Sequence, residues 1–435
     1  MLNWKGRHRV PLLLAGALSV ALVLAGCSPS GGGGAGQSDS KSITVGIEAG
    51  SPQGEFFQKA APEFTKTTGI NVKFLAVPHD NMHQKFLTDA VSGTGAYDVL
   101  TVDEGWMPEF ASKGYLTKLD DALGAKDKSD FEASALQTGT YGGHLYSVPY
   151  LVHNLVLYYR TDLLKKAGID TPPTTWEQYA ADAKKLTDSK SGVYGTVIEG
   201  KQDAETYTHL MSMVQQAGGD VADGSGKPTF DTPAVKSSLQ FMQQVQLKDK
   251  SSPPGLNDLT TEQGEFLAGH VAMIMMWPYL YSMAKDPAQS KVAGKFAVAM
   301  PPGNPHQVST NFAWSFGVNA SSKNQTSANK FVTWATSSEM LQKLSQAQNL
   351  PTPRKSAATA IANDTSIVQT DRDALAVFTK SVSASSTIPL VTAFPQYQTA
   401  MAVALSSVMS QSSSIDAAVA KAQQTMQSAY ESSSK

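Results

Sequence analysis

The chain has 435 residues, a formal net charge of −2, 41% hydrophobic residues and one cysteine. That length exceeds what a single core usually fills, so about two domains are expected. A mildly acidic chain without a basic cluster argues against nucleic acid as a partner, and one cysteine excludes an internal disulfide.

At the N-terminus Lys5, Arg7 and Arg9 precede an apolar run over residues 10–24. The run is shorter than the roughly 20 apolar residues of a membrane span. It has the length and flanks of a signal-peptide core. It ends in Leu24, Ala25, Gly26 and Cys27. Small residues before a cysteine resemble the bacterial lipobox, which implies cleavage after residue 26 and a diacylglycerol on Cys27. Residues 28–41 are mostly Ser and Gly, with glycines at 31–34, a composition that forms a flexible tether rather than a core. Residues 1–26 are thus read as a lipoprotein signal peptide and 27–41 as the lipidated cysteine and its tether.

The body opens with a β-branched run at 43–47, a first strand. Phe56, Phe57, Ala60, Ala61 and Phe64 recur at helical spacing. Pro62 inside the pattern predicts a kink or restart, and Gly69 the end. Residues 72–77 read as a second strand, 81–90 as a helix and 97–102 as a third strand. Such alternation predicts a parallel α/β sheet with helices on both faces. Residues 145–159 read as extended and 162–168 as a short helix closed by Gly168. Thr175 and Gln178 have capping-box spacing, and Trp176, Tyr179, Ala183 and Leu186 form one helical face. A second α/β body follows to about residue 300. Residues 296–300 and 314–318 read as strands, and Ile415, Val419, Ala422, Met426 and Ala429 mark a last helix.

Four stretches, in order, resemble one family. They are Tyr97 to Leu100 with the Gly105–Leu119 run; Tyr146 to Tyr150, then residues 157–168 and Thr174 to Trp176; Phe266, Gly269, Ala272, Met273 and Trp277 in an F-x-x-G-x-x-A-M…W pattern; and Phe316 to Ala320 with residues 328–334. Together they are similar to extracellular solute-binding proteins of the maltose-binding type (family one), over essentially all of residues 42–430. The resemblance implies a two-lobed periplasmic-binding-protein fold (type II) with a ligand cleft between hinged lobes. One lobe is expected at 42–151 plus 317–372, the other at 152–316 plus 373–435. It further implies a carbohydrate-binding subunit of an ATP-binding-cassette (ABC) importer: a monomer outside the cytoplasm, held to the membrane only through its lipid, handing its solute to a permease, with no catalysis, cofactor or metal. Relatives of this type imply alternatives in the same role, a polyol, glycerol phosphate or polyamine.

In open α/β sheets ligands meet the loops after the strands, and sugars need hydrogen-bonding groups for hydroxyls and aromatic faces for C–H surfaces. Glu48 and Gln53 follow the first strand; Asp103, Glu104 and Trp106 follow the third. Tyr150, His153 and Asn154 lie near the first crossing, where many family members carry an acid. Trp277 resembles the family's stacking tryptophan. Trp314 stands where relatives often have glycine, and Phe394 and Tyr397 lie in a late loop. His79 is a weaker candidate. A secreted glycoside hydrolase is the rival from another class, but Asp103 and Glu104 are adjacent, and adjacent side chains on a strand end diverge. Ser-x-x-Lys at Ser282 and Ser327 lacks the companion motifs of serine chemistry. His79 and His83 share a helix face without further metal ligands.

Overall fold

Alternating β-branched and apolar residues make β1 (Ser42–Glu48), with every apolar side chain buried. The computed structural model describes residues 41–203 and 205–433; the expected signal peptide, Cys27 and the tether up to residue 40 lie outside them. After β1, Ser51 caps the helix Pro52–Thr68 by accepting a hydrogen bond from the Gly54 N–H at 3.1 Å. The helix is continuous through Pro62, which is exposed. It ends at Gly69, whose φ of 72° favours glycine at this left-handed cap. β2 (Asn71–Val77) leads into the helix His79–Ser92, and β3 (Val99–Asp103) into the short helix Met107–Ser112.

A short ladder, β4 (Thr140–Tyr141) with β5 (His144–Leu145), precedes β6 (Ser147–His153) and β7 (Val156–Arg160). The expected capping box at Thr175 forms with a shift. Thr175 accepts from Gln178 N, but the Gln178 carbonyl oxygen takes the Thr174 N–H rather than that of Thr175. The remaining strands are β8 (Met273–Met276), β9 (Phe296–Ala299) and β10 (Phe312–Val318).

Two sheets organise these strands. One has the order β2-β1-β3-β10-β6, the other β8-β7-β9. The expected all-parallel sheet is not what forms. β1 is parallel to β2 and β3, but β10 runs antiparallel to both β3 and β6. The three-stranded sheet is antiparallel throughout. The reason is topological: β10 enters the first sheet on the way back from the second, so it points against the strands laid down on the way out. β6 also carries an irregularity. Trp314 pairs with Leu151 and Ser315 with Pro149, leaving Tyr150 as the extra residue. Pro149 cannot donate a ladder hydrogen bond, and β6 is an edge strand, where a proline bulge is tolerated.

Each sheet has its own core. Ile43, Val45, Val99, Val148 and Phe316 pack with Phe57, Phe64 and Phe331 around the first. Tyr158, Ile274 and Met276 pack with Leu210, Val214, Phe230 and Val419 around the second. The helices Phe394–Met409 and Ile415–Ser433 pack on each other, and both contact Pro233–Gln243. Where the chain passes between sheets, buried amides tie the strands. Asn154 Nδ2 donates to Asn311 Oδ1 at 3.0 Å and to Ser385 Oγ at 3.1 Å, and Asn311 Nδ2 donates to the Val382 carbonyl at 2.9 Å. Among the described residues no helix is long and apolar enough to cross a membrane.

Candidate functional site

The strand ends of the first sheet gather acids and aromatics. Glu48 closes β1, and its Oε1 lies 3.2 Å from Nδ1 of His79, the first residue of the helix after β2. That carboxylate holds the His79 imidazole above its usual pKa. Asp103 closes β3 opposite Trp314 in β10. Its Oδ1 accepts the Gly105 N–H at 2.8 Å, but burial dominates and pushes the carboxyl up to about 6. Trp106 and Trp314 meet edge to face with ring centroids 5.9 Å apart, and the His79 ring lies 5.7 Å from that of Trp314. Both tryptophans are half-buried, so each keeps part of its face open.

Residues from the second half of the chain pack beside these strand ends. Trp277 follows β8 and packs its indole 5.2 Å from Phe312 and 4.8 Å from the His153 ring. Only 4% of Trp277 is exposed. His153 is held neutral, because burial pushes its pKa down to about 4. Phe394 starts the helix Phe394–Met409, and its ring lies 5.9 Å from that of Tyr207. A Cβ at Gly105 would stand 3.5 Å from Phe394 Cδ1 and 3.6 Å from Gln398 Nε2, so the loop after β3 touches this helix directly. Tyr207 shares a hydrogen bond with Gln398.

The expected residues divide into those that converge and those that do not. Glu48, Asp103, Trp106, His153 and Trp314 lie at the strand ends described above, whereas Trp277 and Phe394 pack nearby as core residues, 4% and 0% exposed. Gln53 is half-buried in the first turn of the helix after β1. Tyr150 is a core residue, stacked 4.4 Å from Phe316 and 5.4 Å from Phe57. Glu104 is 4% exposed, and its Oε2 accepts the Ala313 N–H of β10 at 2.8 Å; burial and the neighbouring Asp103 raise its pKa well above the usual range. Asn154 is fully buried in the amide network between the sheets. Tyr397 is likewise buried and donates to the Gly226 carbonyl at 2.9 Å. Residues 394 and 397 also lie on a helix rather than the expected loop.

Sequence reasoning missed Glu205 and Tyr207 and underweighted His79. Burial, with Glu199 and Asp103 nearby, pushes Glu205 up to about 7. His79 obeyed the strand-end rule already applied to Glu48. Glu205 and Tyr207 follow the irregular segment 194–200, which enters isolated bridges at Tyr194 and Glu199 rather than a regular strand, so no alternation announced them. The charges that shape the acidic side of the site are other acids and histidines. The arrangement can hydrogen-bond hydroxyls and stack on a ring face. Among the described residues, Glu199, His209 and Glu262 form a group that could hold a metal, inside the second lobe.

Comparison with known proteins gives this architecture a family. A probable ABC transporter-binding protein of Deinococcus radiodurans is 32% identical over 293 residues, 65% of this chain and 69% of its own length. The mannitol-binding protein of Pseudomonas aeruginosa is 26% identical over 62% of each chain. Among solved structures, a solute-binding protein of Agrobacterium radiobacter K84 in complex with ribitol is 27% identical, with a TM-score of 0.76 over 90% of this chain and 99% of that one. The GacH receptor of Streptomyces glaucescens, solved unliganded and with acarbose, is 26% identical, with a TM-score of 0.78 over 90% and 98%. These likenesses establish the two-lobed α/β solute-binding fold. The family model for bacterial extracellular solute-binding proteins matches residues 49–342, and the chain belongs to that family.

Proposed function

We propose that the chain captures a neutral carbohydrate or polyol in the cleft between its lobes and delivers it to an ABC permease. The observation that carries this reading is the pairing of half-buried tryptophans, Trp106 and Trp314, with the desolvated acids Asp103 and Glu205. Apolar ring faces fit C–H surfaces, and carboxyls raised toward neutrality accept hydrogen bonds from hydroxyls and, in their protonated fraction, donate to them. The ribitol and acarbose complexes of similar proteins support the ligand class. The mannitol-binding relative supports a linear polyol as much as a ring.

The lobes are taken to comprise residues 42–151 plus 317–372 and 152–316 plus 373–435, with the first two boundaries inside the paired strands β6 and β10. Cleavage before Cys27 and its acylation anchor the mature protein on the outer face of the cell membrane, as a monomer without catalytic function. Its family is extracellular by description, and the sequence around Cys27 supports the anchor.

A cationic solute is the second reading, because acids beside aromatic faces also suit an ammonium group. Thermal-shift screening separates the two. At one hundred times its dissociation constant a ligand adds about 2.7 kcal/mol of stability. The expected result is a shift with a sugar or a polyol and none with spermidine. A shift with spermidine alone would overturn the neutral-ligand reading.

A further inference from the structure

We propose that Glu199, His209 and Glu262 form a buried site for one divalent transition-metal ion that takes mixed nitrogen and oxygen ligands. The three residues come from separate parts of the second lobe. Glu199 pairs in an isolated bridge with Asn257, His209 lies in the helix Thr206–Gln216, and Glu262 in the first turn of the helix Leu259–Leu267. Their exposures are 1%, 8% and 1%. One ligand atom from each lies within 4.8 Å of the others, with His209 Nδ1 3.1 Å from Glu199 Oε2 and Nε2 3.3 Å from Glu262 Oε2.

The hydrogen bonds favour an ion over a purely internal network. Among the described residues His209 is the only basic side chain facing the carboxylates of Glu199 and Glu262, and no other residue donates a hydrogen bond to their four oxygens. His209 Nε2 lies 2.9 Å from the Met275 carbonyl, to which it donates. That contact makes Nε2 a donor, while, against the effect of burial, Glu199 and Glu262 raise the His209 pKa well above its usual value, so an ion would displace the Nδ1 proton to take the lone pair beside Glu199, with the Met275 carbonyl as its outer partner. Two bare buried carboxylates are costly. A divalent cation between them and a neutral imidazole brings the group to zero net charge. Glu199 and His209 also line a small cavity of about 30 Å³, room for one water or one ion. Two carboxylates and one imidazole suit Zn²⁺ or Mn²⁺. The ion would tie together the segment that holds Glu199, the helix Thr206–Gln216 and the helix Leu259–Leu267.

The test uses the chelator-treated protein titrated with ZnCl2 and with MnCl2, with elemental analysis after desalting. The expected result is one equivalent bound per chain. Affinity should fall at least tenfold in Glu199→Gln and in Glu262→Gln and stay unchanged in His270→Gln, which alters an exposed histidine. X-ray absorption on the Zn²⁺-loaded wild-type protein should show nitrogen and oxygen neighbours at about 2.0–2.2 Å with imidazole scattering. This last measurement decides the matter if the glutamine variants fail to fold. No uptake by wild-type protein, undiminished uptake in both glutamine variants, or an absorption spectrum without imidazole would overturn the proposal and leave an imidazolium held between two carboxylates.

Discussion

Trp106 and Trp314 keep open faces at the strand ends, whereas Trp277 is nearly enclosed by Phe312 and His153. The difference sets which tryptophan is a clean probe. Trp106→Ala is expected to weaken ligand binding at least tenfold, about 1.4 kcal/mol, with a small change in melting temperature; titration calorimetry and a melt check it. Trp277→Ala opens a cavity as well and costs about 3–5 kcal/mol of stability, so loss of binding there mixes two effects. The acids make a second prediction. Burial raises Asp103 to about 6 and Glu205 to about 7, above ordinary carboxylate values near 4. Between those limits the folded chain binds more protons than the unfolded one. Their contribution is therefore full below about pH 4 and is lost as pH rises through 6 to 7. Asp103→Asn and Glu205→Gln should each flatten the stability profile over that window and raise the melting temperature at pH 7.5 by about 2–4 °C. A profile parallel to wild type would contradict the assignment. The strand-end rule made Glu48, Asp103, Trp106 and Trp314 legible in the sequence. It did not reveal that Glu104 turns inward to the Ala313 N–H or that Asn154 joins two crossings, because their partners Ala313, Asn311 and Ser385 lie more than 150 residues further on.

At the scale of elements, local signals carried the first half of the fold. The β-branched run of β1, the glycine at position 69 and the Thr175 cap each act within a few residues, and the structure has all three. Sheet direction and the helical start at Phe394 were not legible. Antiparallel insertion of β10 is decided by where the chain returns, and the residues at 394–397 find their helix by packing on Thr206–Gln216. The Asn154–Asn311–Ser385 network is the element-scale device that holds the crossings. Asn311 is fully buried, and its amide reaches Asn154, Ser134 and the Val382 carbonyl. Asn311→Ala leaves those partners unsatisfied and is expected to cost about 2–3 kcal/mol, read as a lower midpoint in urea unfolding. A midpoint equal to wild type would show that the amides do not tie the sheets together.

For the whole molecule, two sheets with separate cores, linked by the chain between β6 and β7, between β9 and β10 and again after β10, suit lobes that move about a hinge while each stays rigid. The loop after β3 approaches Phe394 and Gln398, which brings the acids and tryptophans of the strand ends beside that helix. Closure excludes water from the acids and strengthens each hydrogen bond they make. A cation entering such a site would draw Asp103 and Glu205 back to their ionised forms and release protons, whereas a neutral polyol would not. The central claim is therefore tested most directly by titration calorimetry of the wild-type protein at pH 6.5, in two buffers of different ionisation enthalpy, against maltose, mannitol, ribitol and spermidine. The account predicts one-site binding of a sugar or polyol, no proton release, and at least tenfold weaker binding by Trp106→Ala. Binding of spermidine alone with release of protons, or equal binding by the variant, would contradict it.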